Sequence, residues 1–225
     1  MMFGAAIGDA LGSAFEMLRS DVIERHLGSA VARTFEPALR GSLLFGRGAG
    51  EPTDDTAMAL SLASALTCGK PFTPELFAER FEEDLAHRRG RFAEMFWLGG
   101  PGGATTQALR RLQRGAAPST NGHVDDGGNG AAMRAHPAGC LHDRDEVLGV
   151  AAMQAKITHG HPAAVAAAQA VAVLVHDAIG GRPISLDMPA GIDEPTFSAA
   201  WHGAHRDLIA GERLPAHLRN AAMSG

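Results

Sequence analysis

The chain has 225 residues, of which 45% are hydrophobic and 20% are charged, a composition typical of a soluble globular protein of one domain or at most two small ones. Its formal net charge of -5 excludes a broad basic surface, so nucleic acid is not an expected partner. Cys68 and Cys140 form no Cys-x-x-Cys pattern, which argues against a disulfide framework and favours a cytoplasmic location. Neither a leader nor a run of about 18 uninterrupted apolar residues is found, so neither secretion nor membrane insertion is expected.

Alanine is abundant, tyrosine is absent, and strand-type runs of valine, isoleucine and threonine are scarce. These features predict an all-α fold. The apolar pattern predicts helices over residues 1–17, 20–27, 53–66, 74–88, 105–114, 145–157 and 162–179. Prolines in the tail predict only short helices there, and the segments 28–52, 97–103 and 115–130 are predicted loops or turns.

The first candidate motif is Gly8-Asp9-Ala10-Leu11-Gly12, followed by Glu16. Asp9 and Glu16 are seven residues apart, or two helical turns, so both carboxylates are predicted on one face of a mostly apolar helix. A buried carboxylate needs hydrogen-bond donors or a cation. The alternative is that the motif contains only an ordinary acidic residue at a helix terminus, with no functional role.

The second motif, Thr53-Asp54-Asp55-Thr56, stands where a helix is predicted to begin. Adjacent carboxylates repel each other, and two of them directed at one place are best explained by a divalent cation. Hard oxygen ligands indicate magnesium, manganese or calcium. The alternative is ordinary N-capping, because threonine and aspartate both stabilise a helix N-terminus.

Two glycine-rich segments, residues 99–103 and Gly127-Gly128-Asn129-Gly130-Ala131-Ala132-Met133-Arg134, can bring backbone N–H groups close to an anion. The alternative for both is a plain turn. Thr158-His159 lies between two predicted helices, where the imidazole can donate to a ligand phosphate or hydroxyl. The alternative for His159 is a structural residue between the two helices whose hydrogen bonds are satisfied within the protein.

The order and separations of these motifs resemble the ADP-ribosylglycohydrolase family over about residues 2–181, and Gly128 to Arg134 is the most specific segment. The resemblance implies a single domain over residues 1–225, a compact all-α multi-helix bundle whose loops surround two magnesium or manganese ions. It also implies metal-dependent hydrolysis of the N- or O-glycosidic bond between ADP-ribose and a modified protein side chain or small molecule. ADP-ribose or an ADP-ribosylated protein is therefore the expected partner.

The resemblance assigns roles residue by residue. Thr53, Asp54 and Asp55 match metal ligands, and Glu16, Asp9 and Asp55 are the expected catalytic residues. The expected substrate-binding residues are Gly100, Gly102, Gly103, Gly128, Asn129, Gly130, Met133 and His159.

One family feature is not found: members end with a Gly-Asp-x-Asp-Thr segment that holds the metals from the opposite side. Asp143-Arg144-Asp145 has similar spacing but precedes Glu146, and it is predicted to be a surface loop. Three hypotheses therefore stand. The chain is a metal-dependent hydrolase, an impaired ADP-ribose-binding pseudoenzyme, or a shortened product whose uncovered apolar face pairs in a homodimer.

Overall fold

A computed structural model describes residues 1–28, 32–84, 102–183, 185 and 187–209. No β-strand occurs among these residues, whose only β-type pairing is an isolated bridge between His123 and His159. The all-α prediction is confirmed. The helices are α1 (Met2–Gly12), α2 (Ser20–Leu27), α3 (Asp54–Thr67), α4 (residues 74–84), α5 (Gly103–Leu112), α6 (Arg144–Lys156), α7 (Pro162–Ile179) and α8 (Pro195–Ile209).

The amino-terminal helix is shorter than predicted. α1 ends at Gly12, a 3₁₀ turn covers Ser13–Phe15, and Glu16 leaves the helical conformation with a ψ of 132°. The Ser13 hydroxyl lies 3.1 Å from the Ala10 carbonyl oxygen and 3.2 Å from that of Glu51, and such side-chain bonds compete with regular helix. The prediction that Asp9 and Glu16 share one helix face is therefore wrong.

Two predictions about the second half of the chain are also wrong, for reasons of capping. α8 has 15 residues because Pro195 is its first residue, where a missing N–H costs nothing. Residues 143–145 do not form the predicted surface loop. The Asp143 carboxylate accepts a 2.9 Å hydrogen bond from the Glu146 N–H and caps α6, which begins at Arg144.

The chain divides into two compact units, and the boundary falls inside α3. Of the described residues, the first unit comprises 1–28 and 32–58, and the second comprises 59–84, 102–183, 185 and 187–209. In the first unit, backbone bonds from Leu39 to Ala14 and from Leu43 to Glu16 tie the loop before α3 to the 3₁₀ turn. The single-domain prediction stays a prediction.

In the second unit α6 and α7 pack against each other and against a 3₁₀ segment, His136–Cys140. Small side chains allow this close approach. The central buried cluster consists of Ala138, Val147, Val150, Ala151, Ala172 and Val173.

α7 is, within the described ranges, the one helix long and apolar enough to cross a membrane, with a mean hydropathy of 1.5 over 18 residues. The sequence criterion of an uninterrupted apolar run missed it because Gln169, His176 and Asp177 interrupt the helix. A helix in the core of a globular unit meets the same criterion of length and composition. α7 packs against α6 and the 3₁₀ segment, and 33% of its apolar stretch is buried.

Gly139 lies where the 3₁₀ segment meets α7. A Cβ at this position would be 2.5 Å from the Ala172 carbonyl oxygen and 2.8 Å from Val175 Cβ. Gly139→Ala is therefore expected to lower the free energy of unfolding by about 2 kcal/mol in urea denaturation. Gly149→Ala is the matched control: its Cβ would meet nothing within 4 Å, and in mid-helix it should stabilise by about 0.5 kcal/mol. Equal stabilities of the two variants would contradict this packing argument.

Candidate functional site

The first unit brings α1 to the N-terminus of α3 through Asp9. The Asp9 carboxylate accepts hydrogen bonds from the backbone N–H groups of Thr53, at 2.8 Å, and Thr56, at 3.2 Å. The Thr53 and Thr56 hydroxyls also donate to this carboxylate. Asp9 thus satisfies N–H groups that the first turn of a helix leaves without intrahelical partners.

The Thr-Asp-Asp-Thr motif caps α3 as its residue types predict. Thr53 Oγ1 accepts a 3.2 Å bond from the Asp55 N–H, the usual N-cap interaction, and lies 3.0 Å from Asp55 Oδ2. Asp54 is buried with only 8% of its surface exposed, and Asp55 is half-buried. Capping and a concentration of carboxylates therefore occur together at the same residues.

Four carboxylates, those of Asp9, Glu16, Asp54 and Asp55, form what we call the acidic cluster. Burial is the main cause that raises the pKa of Asp54 to about 7, and the negative charge of Asp55 is the next cause. The pKa of Asp55 is raised by burial and then by the charge of Asp9. The pKa of Glu16 is raised by burial and then by the charges of Asp55 and Asp9. The cluster thus holds negative charges that disfavour one another.

Arg47 is a residue of this region to which the sequence analysis assigned no role. Its charge lowers the pKa of Glu16, against the effect of burial. The guanidinium also donates to Glu51 Oε2 at 3.2 Å and to the Pro52 carbonyl oxygen at 2.6 Å. Arg47 lies in a glycine-rich loop without periodicity, so no local pattern in the sequence indicated its position.

The chemistry of the acidic cluster fits a divalent cation in part. Its donors are hard oxygens, and a cation would offset the burial and the mutual repulsion that together raise these pKa values. Among the described residues, however, no three His, Cys, Asp or Glu side chains are arranged to hold a metal ion by themselves. Hard oxygen donors are therefore gathered here, but the described residues do not form a complete set of metal ligands.

The second unit contains two of the other predicted motifs in what we call the glycine-histidine corner, residues 128–134 with Thr158 and His159. Asn129–Ala131 is a short 3₁₀ turn, and Gly130 is buried against the His159 ring. A Cβ on Gly130 would be 2.6 Å from His159 Cε1, so only glycine allows the loop to approach the imidazole this closely.

The buried side chain of Arg134 links the two motifs of the glycine-histidine corner. Its side chain is fully buried, and its guanidinium lies over the rings of Phe77 and Phe81, at 5.7 and 5.6 Å from their centroids. Nε donates to Gln154 Oε1 at 2.7 Å, and Nη2 donates to the Gln154 carbonyl oxygen at 3.0 Å and to Thr158 Oγ1 at 2.6 Å. The last residue of the glycine motif is therefore bonded directly to the Thr-His motif.

The remaining predicted site residues are distributed as follows. Gly102 caps α5 and Gly103 begins it, both exposed, while Gly100 lies outside the described residues. In the glycine-histidine corner Asn129 is exposed, and Gly128 and Met133 are half-buried. The convergence of the acidic cluster and the corner on one pocket stays a prediction.

His159 makes the stability of the second unit depend on pH. It is 2% exposed, and burial, followed by the positive charge of Arg134, lowers its pKa to about 4, although Asp126 opposes this. Because the pKa of His159 is lower in the folded protein than in the unfolded chain, the unfolded chain binds a proton at a higher pH. The free energy of unfolding therefore falls as the pH drops below about 6.5. Between pH 7.5 and 5.0 the loss should be about 2 kcal/mol.

Urea denaturation of the wild type and His159→Gln at both pH values measures this loss. The variant should lack it, because glutamine does not titrate. An identical change in stability for the two proteins would contradict the lowered pKa.

Comparison with known proteins agrees with the motif order. The ADP-ribosylglycohydrolase family model matches residues 1–223. An uncharacterized protein of Archaeoglobus fulgidus is 34% identical over 176 residues, which make up 77% of this chain and 53% of that protein. The ADP-ribosyl-dinitrogen reductase glycohydrolase of Rhodospirillum rubrum is 32% identical over 182 residues, 80% of this chain and 56% of that enzyme.

A solved structure of an ADP-ribosylglycohydrolase-related protein complex has a TM-score of 0.65 and 28% identity, covering 93% of this chain and 64% of that chain. The chain spans about half the length of the curated relatives it matches. Because the family model covers residues 1–223, the chain belongs to the ADP-ribosylglycohydrolase family.

Proposed function

We propose that this chain carries the catalytic carboxylates of a metal-dependent hydrolase that releases ADP-ribose from a modified side chain or small molecule. The observation that carries the proposal is the hydrogen bonding of Asp9 to Thr53 and Thr56, which joins the two acidic motifs in one partly buried cluster. The family membership, and a relative named an ADP-ribosylarginine hydrolase in Pseudomonas putida, 29% identical, support hydrolysis of an ADP-ribose linkage.

The cluster suggests separate roles for its members. Thr53, Asp54 and Asp55 would hold magnesium or manganese, which acidifies a bound water and screens charge in an oxocarbenium-like transition state. Both Asp9 oxygens already accept hydrogen bonds from α3, so Asp9 is better suited to positioning that helix than to removing a proton. Glu16, outside the helix and half-buried, is the better candidate for the base that takes a proton from water.

The test is release of ADP-ribose from ADP-ribosylated arginine and serine peptides, with Mg²⁺, with Mn²⁺ and after treatment with a chelator. We expect release that requires metal, and a loss of about 100-fold in kcat for Glu16→Gln. Glu75→Gln, an exposed residue of α4, is the control and should keep the wild-type rate. No release from either peptide under any metal would overturn the proposal.

The second candidate is an ADP-ribose-binding module without catalysis. It is favoured by the incomplete set of metal ligands among the described residues. Calorimetric titration with ADP-ribose separates the two functions. Binding that a chelator leaves unchanged, together with no hydrolysis, supports the module, whereas absence of binding excludes it.

A further inference from the structure

Thr158 lies between a permanent hydrogen-bond donor and the imidazole of His159. The Arg134 guanidinium carries only N–H donors and stays charged at any pH a protein tolerates. Its Nη2 donates to Thr158 Oγ1 at 2.6 Å, so the threonine oxygen is the acceptor of this bond. Backbone and side-chain bonds to Gln154, and the rings of Phe77 and Phe81, hold the guanidinium in this orientation.

The two partners of the Thr158 hydroxyl determine the direction in which this hydroxyl donates its hydrogen bond. Among the described residues, Oγ1 has two partners, Arg134 Nη2 and His159 Nδ1 at 2.8 Å. The guanidinium cannot accept a proton, so the hydroxyl directs its hydrogen to Nδ1. Nδ1 is then an acceptor, and the proton of the neutral ring lies on Nε2.

The opposite edge of the ring faces the glycine motif. A Cβ built on Gly130 would lie 2.6 Å from His159 Cε1 and 3.1 Å from Nε2. Among the described residues Nε2 has no hydrogen-bond partner, whereas Nδ1 is bonded. The charged groups acting on the ring are Arg134, which disfavours a second proton, and Asp126, which favours it. Burial disfavours the charged ring further, so it stays neutral near pH 7.

We propose that Arg134 is a positioning residue that, through the Thr158 hydroxyl, fixes His159 as the tautomer with its proton on Nε2. That N–H is a ligand donor beside Gly130, suited to a phosphate or hydroxyl oxygen of ADP-ribose. The ligand assignment rests on the proposed function, whereas the tautomer does not. The tautomer matters because a ring with its proton on Nδ1 would present a lone pair at Nε2, which repels a phosphate oxygen and can only accept a hydrogen bond from a ribose hydroxyl.

The tautomer is measured directly by long-range ¹H–¹⁵N correlation of histidine-labelled protein at pH 7, with the His159 signals assigned by their loss in His159→Gln. We expect an unprotonated Nδ1 and a protonated Nε2 in the wild type. In Thr158→Val, which removes the hydroxyl at nearly equal volume, the signals should move toward a mixture of tautomers. Thr158→Ser keeps the hydroxyl and should restore the wild-type pattern. A wild-type ring with its proton on Nδ1, or a Thr158→Val spectrum identical to the wild type, would overturn the proposal.

Calorimetry with ADP-ribose tests the ligand step on the same variants. Thr158→Val should weaken affinity about fivefold to tenfold, and Thr158→Ser by less than about twofold. Equal affinities of Thr158→Val and the wild type would overturn the role of the Nε2 donor in binding. If the wild type binds no ADP-ribose, the proposed function fails, and the nitrogen spectra still decide the tautomer.

Discussion

Replacing Arg134 by alanine is expected to lower the free energy of unfolding by about 4 kcal/mol, because three kinds of interaction are lost together. The Gln154 oxygens and Thr158 Oγ1 lose their donor inside the protein. The rings of Phe77 and Phe81 lose the flat group above them, and the vacated volume becomes a cavity. Urea denaturation at pH 7 measures the loss.

Two further variants divide this loss into packing and hydrogen bonding. Arg134→Met refills much of the volume and removes a buried charge, yet leaves the same acceptors without a donor, so we expect a loss of about 2 kcal/mol. Arg110→Ala, an exposed arginine of α5, is the control and should change stability by less than about 0.5 kcal/mol. If Arg134→Ala were as stable as Arg110→Ala, the hydrogen-bond network would have no part in holding the corner.

Arg134 illustrates what the sequence could and could not predict. The motif that ends with Arg134 was the most specific sign of the family, and the family is confirmed by the match over residues 1–223. No rule of spacing, however, indicates that this arginine turns inward to reach Thr158, 24 positions later in the chain. Contacts between distant segments depend on how the helices pack, and local periodicity does not report packing.

Helix prediction succeeded where the signals were local. α2 and α7 have the predicted bounds, since an apolar period, a suitable first residue and a following glycine agree there. Helix prediction failed at Glu16, which lies outside the helix. Near it the Ser13 hydroxyl bonds to the Glu51 carbonyl oxygen, a contact between distant segments that the local sequence does not indicate. The two interpretations of Thr53 to Thr56 proved not to exclude each other, because the residues that cap α3 also belong to the acidic cluster.

Asp9→Ala is expected to destabilise the chain by about 3 kcal/mol in urea denaturation. It removes the acceptor for two backbone N–H groups of α3 and for the Thr53 and Thr56 hydroxyls. The loss is smaller than four charged hydrogen bonds would give, because Asp55 is relieved of a neighbouring negative charge. Asp21→Ala is the control: among the described residues the Asp21 carboxylate pairs only with exposed arginines, so this variant should unfold close to the wild-type urea midpoint.

Asp9→Asn separates the structural role of Asp9 from a role in metal binding. An amide oxygen in the place of Oδ2 can still accept from the Thr53 and Thr56 N–H groups, and its NH₂ can donate to Thr53 Oγ1. Asn should therefore fold with a loss below about 1 kcal/mol while the cluster loses one negative charge. If the cluster holds a cation, Mn²⁺ affinity by calorimetry should fall at least about tenfold in this stable variant. Unchanged Mn²⁺ affinity would leave Asp9 as a helix cap alone, because charge is the property that the substitution removes.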